Sequence, residues 1–468
     1  MTPPRSKVSA FAARRSALLA RLGGPALIAA GQPQARNFRN NTHRFRASSH
    51  FLYLLGTAIP GAALLFARGE AQLFAPAHEP DDALWHGAQP SFAELQATHE
   101  LAAVRPLEEL AGALREAGGA IATATLPTED AASSAWLSAV LGRPILPGTG
   151  HTLAEGTPDH ALALAMIALR VRHDAAAIDQ LRAAAEASAQ AHVVGMRATR
   201  CAHHEFEIAA AMLGELRRHH LDDAYSPIVT VHGEVLHNQS HDNAVAAGDL
   251  LLADVGGETP EGWAADITRV WPVSGRFSPT QRAIYEAVLA AQEAAIARVT
   301  KGTRYRDIHE TAGRTLVAGL RDLGIFKGDV DGLYERGAAA IFFPHGVGHL
   351  LGLDVHDLED LGDRAAYAPG RARSARFGDR YLRLDLDLEP GMAVTIEPGF
   401  YQVPAILADP ALTGAVGADL DRDVLRRFAD VRGIRIEDDV LCTDGAPEVL
   451  TRAAPKSIAA VEAAMASR

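Results

Sequence analysis

Apolar and polar residues follow two different periods along the first 170 residues of the chain. The stretch "SAFAARRSALLARL" has the spacing of an amphipathic helix, and "PALIAAG" is a short apolar run typical of a buried strand. Two apolar runs on either side of "RGE", between Ala63 and Pro76, predict a β-hairpin. Helical stretches such as "PLEELAGALREAG" alternate with these strands. The pattern predicts an α/β domain of mixed connectivity over residues 1–170.

Longer helical patterns begin at Asp174, which is a suitable N-cap for the run "AAAIDQLRAAAEASAQAHVVGM". A second helix, "HEFEIAAAMLGELRRHH", is followed by the strand-like runs "SPIVTVHGEVLHN", "DLLLADVGG" and "WAADITRVWPV". The same order then recurs. Two helical runs precede the strand-like runs "AAIFFPHGVGH", "MAVTIEPGFY" and "GIRIEDDVLC". Residues 174–468 are therefore expected to form a second domain from two similar halves, with a site between the halves.

The composition is that of a globular protein with an acidic balance, because 48% of the residues are hydrophobic and the formal net charge is −12. A nucleic-acid surface needs clustered positive charge, so we expect no nucleic-acid partner. No run approaches the roughly 18 apolar residues of a membrane span, so we expect no membrane association. The two cysteines, Cys201 and Cys442, exclude a disulfide framework and favour a reduced chain in the cytoplasm.

Two aspartates flank the turn-rich segment "GGETPEG". Asp254 ends the apolar run "LLLAD", Asp266 lies in the predicted strand "WAADITRV", and both are six residues from Pro260. If the two strands form a hairpin, the carboxylates fall near opposite positions, where like charges destabilise a sheet. Either the carboxylates share a proton or a cation lies between them. A shifted register that separates them is the alternative.

Two glutamates close apolar runs in the second half. Glu397 ends "AVTIE", and Glu437 shares one face of a predicted strand with Arg435, opposite Ile434 and Ile436. Taken singly, each glutamate is more typical of a solvated strand end than of a metal ligand. Four carboxylates on strands and one histidine carry about four negative charges, which two divalent ions would nearly neutralise. Oxygen ligands with one imidazole suit a harder ion such as manganese better than they suit structural zinc.

Three histidines, His345, His349 and His356, lie in the mostly apolar stretch "FFPHGVGHLLGLDVHD". Imidazoles bind metals and transfer protons near neutral pH, although isolated histidines are usually partly buried residues without such a role. Gly346 and Gly348 permit a tight backbone there. A regular helix is therefore not expected, and the site differs from the HExxH motif of helical zinc proteases.

At this point the chain resembles the aminopeptidase P and prolidase family of metallopeptidases. The resemblance rests on "LLLADVGGETPEGWAADITRVWPVSGRFS", "HGVGHLLGLDVHD", "TIEPGFY" and "IRIEDDV", which occur in the order of that family and span about residues 174–455. The first 170 residues are similar to its creatinase-type N-terminal domain, on the stretch "SSHFLYLLGT" and the hairpin. The resemblance implies an α+β catalytic domain of the "pita-bread" fold with two pseudo-symmetric halves. It also implies hydrolysis of the bond between a first residue and a following proline.

The resemblance also assigns metal ligands. Asp254 would bind one of two divalent ions, Asp266 and Glu437 would bridge both ions, and His349 and Glu397 would bind the second. Glu397 would in addition take the proton from the attacking water, with a metal-bridging hydroxide as the nucleophile. Manganese is the expected metal.

Five further residues are implied to serve the same pocket. His237 and His356 match the histidines of the family that contact the substrate and stabilise the oxyanion without binding metal. His345, Tyr401 and Arg435 would line the pocket. Relatives form dimers or tetramers, so we expect a homo-oligomer.

Two departures from the family pattern concern the substrate. Asn238 follows His237 where the family often has tyrosine, and the interval from Asp254 to Asp266 is one residue longer than in some relatives. Arg383 stands where prolidases keep an arginine that holds the carboxylate of a dipeptide. We favour an Xaa-Pro aminopeptidase acting on peptides with proline at the second position. An Xaa-Pro dipeptidase is the main alternative, and a non-catalytic relative or a creatinase-like enzyme is less favoured because all five ligand positions are filled.

Overall fold

The computed structural model describes residues 2–38, 40–78 and 81–467, and the chain divides into two compact units. The smaller unit comprises Arg5–Val171 together with the distant segment Leu358–Ala365. The larger unit comprises Arg172–Asp357, Ala366–Arg468 and the residues before Arg5. Nothing in the sequence pattern indicated that Leu358–Ala365, directly after the histidine-rich stretch, would belong to the first of these units.

The helices, numbered in chain order, are α1 (Val8–Leu19), α2 (Ser49–Leu55), α3 (Asp82–His86), α4 (Phe92–His99), α5 (Leu110–Glu116), α6 (Ala131–Leu141), α7 (Pro158–Arg170), α8 (Ala175–Ala198), α9 (Glu205–Arg218), α10 (Pro279–Ile296), α11 (Tyr305–Asp322), α12 (Val330–Glu335), α13 (Ala338–Phe342), α14 (Asp363–Ala366), α15 (Pro404–Ala408), α16 (Pro410–Thr413), α17 (Arg422–Leu425) and α18 (Ile458–Ala466).

The strands are β1 (Ala26–Ala29), β2 (Ala35–Phe38), β3 (Asn41–Thr42), β4 (Ala63–Ala67), β5 (Glu70–Ala75), β6 (Ala103–Pro106), β7 (Ala124–Thr125), β8 (Asp222–Asp223), β9 (Ile228–Thr230), β10 (Leu250–Asp254), β11 (Gly257–Glu258), β12 (Thr268–Pro272), β13 (Ala393–Ile396), β14 (Gly399–Tyr401), β15 (Gly433–Arg435), β16 (Asp438–Leu441) and β17 (Glu448–Val449).

The smaller unit is built on a mixed five-stranded sheet in the order β6-β5-β4-β1-β7. The predicted hairpin is β4–β5, closed by Arg68 (φ 55°) and Gly69 (φ 81°). Two successive residues with positive φ match the twist of the adjoining strands, which explains the tight turn. Helices α5 and α6 pack against this sheet. Their shared core consists of Leu27, Ala63, Leu65, Phe74, Leu110, Ala113, Leu114, Leu137, Leu141 and Ile145.

The larger unit repeats the predicted order of two helices followed by strands. In its first half, α8 and α9 precede a sheet in the order β12-β10-β9, and in its second half α10 and α11 precede a sheet in the order β13-β16-β17. Asp174 caps α8, as expected, by accepting a hydrogen bond from the Ala177 amide (2.9 Å). Ser278 and Gln281 form a capping box at the start of α10. Both long helices therefore begin where their capping residues require.

The prediction of a strand at "AAIFFPHGVGH" is wrong, because Ala338–Phe342 forms the short helix α13. Alanine favours a helix, and a short buried apolar run has no period that distinguishes a helix from a strand. The following residues, which include His345 and His349, lie outside helices and strands.

None of the helices within the described ranges is long and apolar enough to cross a membrane. Cys201 is exposed and Cys442 is buried, and both are free thiols.

Candidate metal centre

Asp254 is the last residue of β10, and the expected position of Asp266 needs correction. The hairpin of β10 and β12 forms, but Asp254 is paired with Thr268, so Asp266 lies just before the strand rather than within it. The Val255 amide donates to the Ile267 carbonyl (3.0 Å) and extends the ladder towards the loop. The two aspartates are therefore diagonal neighbours. Asp254 is 9% exposed and Asp266 is 5% exposed.

Glu397 and Glu437 lie at breaks between strands, which corrects the prediction that all four carboxylates are carried within strands. Glu397 and Pro398 separate β13 from β14, and Ile436 and Glu437 separate β15 from β16. Proline has no amide hydrogen, so β13 cannot continue as a regular ladder through Pro398. The Glu437 amide instead donates to the Thr268 carbonyl (3.1 Å). This bond ties the break in the second half to β12 in the first half.

His349 is held so that one ring nitrogen faces two carboxylates. Its Nδ1 lies 3.0 Å from the Leu350 carbonyl, to which it donates. In the neutral ring, Nε2 then carries a lone pair. This nitrogen lies 3.5 Å from Asp266 Oδ2 and 3.8 Å from Glu397 Oε1. A neutral imidazole nitrogen that faces two carboxylates in this way is suited to share a cation with them.

Gly348, next to His349, has no room for a side chain. Its φ is 153°, and a Cβ there would overlap the Thr395 carbonyl and the Tyr305 hydroxyl. The Thr395 hydroxyl accepts a hydrogen bond from the His349 amide (3.1 Å). Glycine at this position therefore allows the histidine loop to lie directly on β13.

The ligand atoms of six residues form three overlapping groups, each compact enough to hold an ion, with all atoms of a group within 4.8 Å of one another. The groups are Asp254, Asp266 and Glu437; His349, Glu397 and Glu437; and Asp266, His349 and His356. All five residues that the sequence indicated as ligands therefore come together. His356, expected to be a substrate contact, joins them as a sixth possible donor.

Crowding of buried negative charge perturbs every carboxyl in the cluster. Burial raises the pKa of Glu437, and the charges of Asp266 and Glu397 raise it further. Burial also raises the pKa of Glu397, to about 8. The pKa values of Asp254 and Asp266 are raised too, mainly by burial. Cations between these groups would relieve the repulsion.

Tyr225 contributes to this site and was missed in the sequence. Its hydroxyl lies 2.6 Å from Asp254 Oδ1 and 2.7 Å from Asp266 Oδ1. Burial and the two aspartates raise its pKa, so the hydroxyl keeps its proton and acts as a donor. Tyr225 lies in the stretch "AYSP" between β8 and β9, which has no periodic pattern that could have indicated a role.

Arg435 connects the carboxylates to the predicted pocket residues. Its Nη2 donates to Asp254 Oδ2 (2.5 Å), and its Nη1 donates to the Tyr401 hydroxyl (3.0 Å). The Tyr401 hydroxyl is in turn 2.9 Å from His345 Nε2. Burial and the Arg435 charge lower the pKa of His345 to about 3, so this imidazole is neutral. Arg435, Tyr401 and His345 therefore form one continuous hydrogen-bonded row.

The other two histidines and Arg383 lie at the edge of the site. Arg383 Nη1 lies 3.1 Å from His356 Nε2. His356 packs edge-on against His349, with ring centroids 4.5 Å apart. His237 is exposed and belongs to none of the three groups. Its charge nevertheless contributes to the low pKa of His345.

The residues present fit two divalent cations. Four carboxylates supply oxygen ligands, two of them shared between groups, and His349 supplies a nitrogen whose lone pair is directed by its bond to the chain. Such an oxygen-rich set with one imidazole suits hard or borderline divalent ions. The bond from His349 Nδ1 to a carbonyl is the usual way in which a protein orients a ligating imidazole.

Two family models match the chain. The model of metallopeptidase family M24 matches residues 179–444, and the model of the aminopeptidase P N-terminal domain matches residues 11–123.

Similar proteins are also found along nearly the full length. The chain is 33% identical over 459 residues to a probable Xaa-Pro aminopeptidase of Penicillium rubens, covering 95% of this chain and 94% of that protein. Among solved structures, aminopeptidase PepP of Pseudomonas aeruginosa is 30% identical, with a TM-score of 0.79 over 100% of this chain and 99% of that one. A zinc-substituted Escherichia coli aminopeptidase P in complex with product is 27% identical, with a TM-score of 0.78 and 99% coverage of both chains.

Proposed function

We infer that this chain, which belongs to metallopeptidase family M24, is an Xaa-Pro aminopeptidase that hydrolyses the bond between the first residue of a peptide and a following proline. The predicted family, the mixed α/β fold with an aminopeptidase P N-terminal domain, and the hydrolase class are confirmed. The observation that carries the mechanism is the convergence of four carboxylates, of which Glu397 is only partly buried, and one buried imidazole from five separate parts of the chain.

The proposed cofactors are two divalent ions. Asp254 would hold one ion, His349 and Glu397 would hold the other, and Asp266 and Glu437 would be shared. When bound, such a pair polarises a carbonyl and makes water nucleophilic at neutral pH. We propose manganese because the ligand set is rich in oxygen.

Glu397 is the proposed proton carrier. Burial raises its pKa to about 8 before any cation is bound, and a bound cation would lower the pKa towards the carboxylate form that accepts a proton from water. A group whose pKa is near the working pH can both take a proton from water and return it to the leaving amine. Its Oε2 lies 3.6 Å from His345 Nδ1, so a neutral imidazole borders it on the pocket side.

The remaining pocket residues are proposed to hold the peptide. His356 is oriented by Arg383, and His237 approaches from an exposed loop. We propose that both donate hydrogen bonds to the carbonyl oxygen of the scissile bond, where negative charge develops. Tyr401 holds the ring of His345 through Nε2, and Arg435 in turn holds Tyr401.

The dipeptidase is the alternative, and Arg383 is the observation that favours it. Its guanidinium lies beside His356, within the site, where it could meet the terminal carboxylate of an Xaa-Pro dipeptide. The similar proteins named above are aminopeptidases, which supports the longer substrate. We further propose a homo-oligomer, dimer or tetramer, in the cytoplasm. The acidic net charge of −12 and the two free cysteines are consistent with this location.

The decisive experiment compares three peptides on the purified enzyme: an Xaa-Pro dipeptide, an Xaa-Pro-Xaa tripeptide, and the same tripeptide with alanine in place of proline. We expect release of the first residue from the proline tripeptide and much slower cleavage of the alanine control. Removal of metal with a chelator should abolish this activity, and manganese should restore it. Cleavage of the dipeptide alone would instead identify a dipeptidase. Full activity of the metal-free protein would contradict the mechanism.

A further inference from the structure

The loop that presents His237 is closed at both ends. It runs from Thr230, the last residue of β9, to Asn238, whose side-chain amide donates to the Thr230 hydroxyl (3.0 Å). The next residue, Val231, donates its amide to the buried carboxylate of Glu205 (2.7 Å). Asn238, the residue that departs from the family pattern, therefore joins the two ends of the loop.

The middle of this loop lies directly on strand β15. Gly233 and Gly433 cross so closely that a Cβ added to Gly233 would lie 2.8 Å from the Gly433 carbonyl oxygen. A Cβ added to Gly433 would overlap the backbone of Gly233. Neither glycine has a positive φ among the residues described, so the glycines are required by space and not by backbone conformation.

Side chains on either side of the crossing hold it in register. Arg432, which precedes Gly433, donates through Nη1 to His232 Nδ1 (2.6 Å) and lies 3.7 Å from Glu234 Oε1. His232 and Glu234 are the two neighbours of Gly233 in the loop. The loop is thus fixed by backbone contact in the middle and by a charged group next to it.

The strand under the crossing is part of the metal site. Gly433 is paired with Tyr401 of β14, and two residues later Arg435 binds Asp254. One short strand therefore carries both the support for the His237 loop and a residue that contacts a metal ligand.

We propose that the Gly233–Gly433 crossing is a positioning device that sets how closely His237 approaches the substrate. This inference rests on the proposed function, because His237 needs a peptide to contact. An added methyl group on either glycine would lift the loop by about 1 Å to restore ordinary van der Waals contact. No proposed metal ligand lies in the His237 loop, and Glu437 follows Gly433 by four residues, so a displacement confined to the loop would leave the ligands in place.

The test uses Gly233→Ala and Gly433→Ala, with Gly214→Ala in α9 as the matched control. An added Cβ at Gly214 meets nothing within 4 Å. Because a displacement of 1 Å can cost about 100-fold in rate, we expect kcat on the proline tripeptide to fall about 10- to 100-fold in the crossing variants, with KM changed less. Metal content per chain should stay at the wild-type value. Gly214→Ala should match the wild type.

A double-mutant cycle separates positioning from general damage. In a His237→Ala background, Gly233→Ala should lower kcat by less than about threefold, since the side chain that the crossing positions is already gone. Arg432→Gln adds no atoms to the crossing and should lower kcat in the same way, but by a smaller factor and with metal content unchanged. This variant replaces an alanine variant that does not fold. Additive losses, or loss of metal in the Gly233 variant, would overturn the inference in an otherwise active enzyme. A wild type that cleaves no Xaa-Pro peptide would refute the proposed function itself.

Discussion

Glu437 and Asp438 are adjacent in the chain, fully or almost fully buried, and opposite in electrostatic behaviour. Glu437 joins the acidic cluster, and its pKa is raised by burial and by the neighbouring carboxylates. Asp438 faces away from that cluster. Burial alone would raise its pKa, but Arg269 and Lys456 lower it below the usual range. Consecutive side chains of an extended backbone point to opposite sides, so the two environments are separated by a single residue.

In the cluster around Asp438, protein side chains alone satisfy the charge and the hydrogen bonds of the carboxylate. Arg269 Nη2 lies 2.6 Å from Asp438 Oδ1, Lys456 Nζ lies 2.8 Å from Oδ2, and Gln292 and Thr451 donate to the remaining lone pairs. The metal cluster has the opposite character. Its carboxylates face one another, and Arg435 is the basic contact of Asp254, so protons or bound cations must balance the rest of its negative charge.

This difference distinguishes a buried charge that stabilises the fold from one that serves chemistry. The two clusters are also connected, because Arg269 donates to the Glu437 carbonyl as well as to Asp438. The cluster around Asp438 thereby fixes the backbone of Glu437, whose side chain belongs to the metal cluster. We expect mutations on the two sides to separate activity from stability.

The largest expected effect is on activity, in the variant Asp266→Ala. Asp266 belongs to two of the three ligand groups, so its loss should release both ions. Rate accelerations by enzymes reach 10⁶-fold or more, and we expect kcat to fall by at least about 10⁴-fold because the acceleration here depends on the ions. Metal analysis after gel filtration should find less than one ion per chain. The control is Asp444→Ala, at a side chain that is 81% exposed, and it should retain both ions and full activity.

Retention of two ions and near-normal kcat in Asp266→Ala would mean that the acidic cluster is not the catalytic centre.

The second prediction concerns stability, in the variant Asp438→Asn. Removal of one partner from a buried ion pair typically costs about 3–5 kcal/mol, because Arg269 and Lys456 are left without a counter-charge. Denaturant unfolding should record this loss in the free energy of unfolding. Metal content and kcat of the folded fraction should change little. For comparison, Asp444→Asn breaks only a surface pair with Lys301 (3.3 Å) and should cost less than about 1 kcal/mol.

If Asp438→Asn instead removed the metals without lowering stability, the division between the two clusters would be wrong.

The sequence predicted which face of the strand carries Glu437 better than it predicted the register that relates Asp254 to Asp266. The two-residue period of a strand places Arg435 and Glu437 on one face, and both do reach the metal cluster even though the strand is broken between them. The hairpin from β10 to β12 was also expected. Its register was not, because it is set by the packing of the intervening loop, where a Cβ on Gly256 would overlap the Ala265 carbonyl.

Contacts between distant segments account for the rest of what the sequence could not indicate. Tyr225 reaches Asp254 and Asp266 from an irregular segment about 30 to 40 residues away, and no local pattern encodes such a contact. The segment Leu358–Ala365 joins the smaller unit through bonds such as His50 Nε2 to Asp360 Oδ2 (3.0 Å). Both features depend on tertiary packing, whereas periodicity reports only which face of an element is buried.

The smallest expected effect tests the hydroxyl that sequence reasoning missed, in the variant Tyr225→Phe. Loss of this donor leaves Asp254 and Asp266 without a shared partner, and groups that orient metal ligands typically contribute about 10- to 100-fold to metal affinity. Titration of the metal-free protein with manganese should record a dissociation constant that is larger by that factor. The matched control is Tyr285→Phe, because the Tyr285 hydroxyl donates to the Lys456 carbonyl (2.7 Å) beside the neutralised cluster. That variant should lose about 1 kcal/mol of stability and bind manganese as the wild type does. If the two phenylalanine variants bound manganese equally well, Tyr225 would contribute to the fold and not to metal binding, although it contacts two of the proposed ligands.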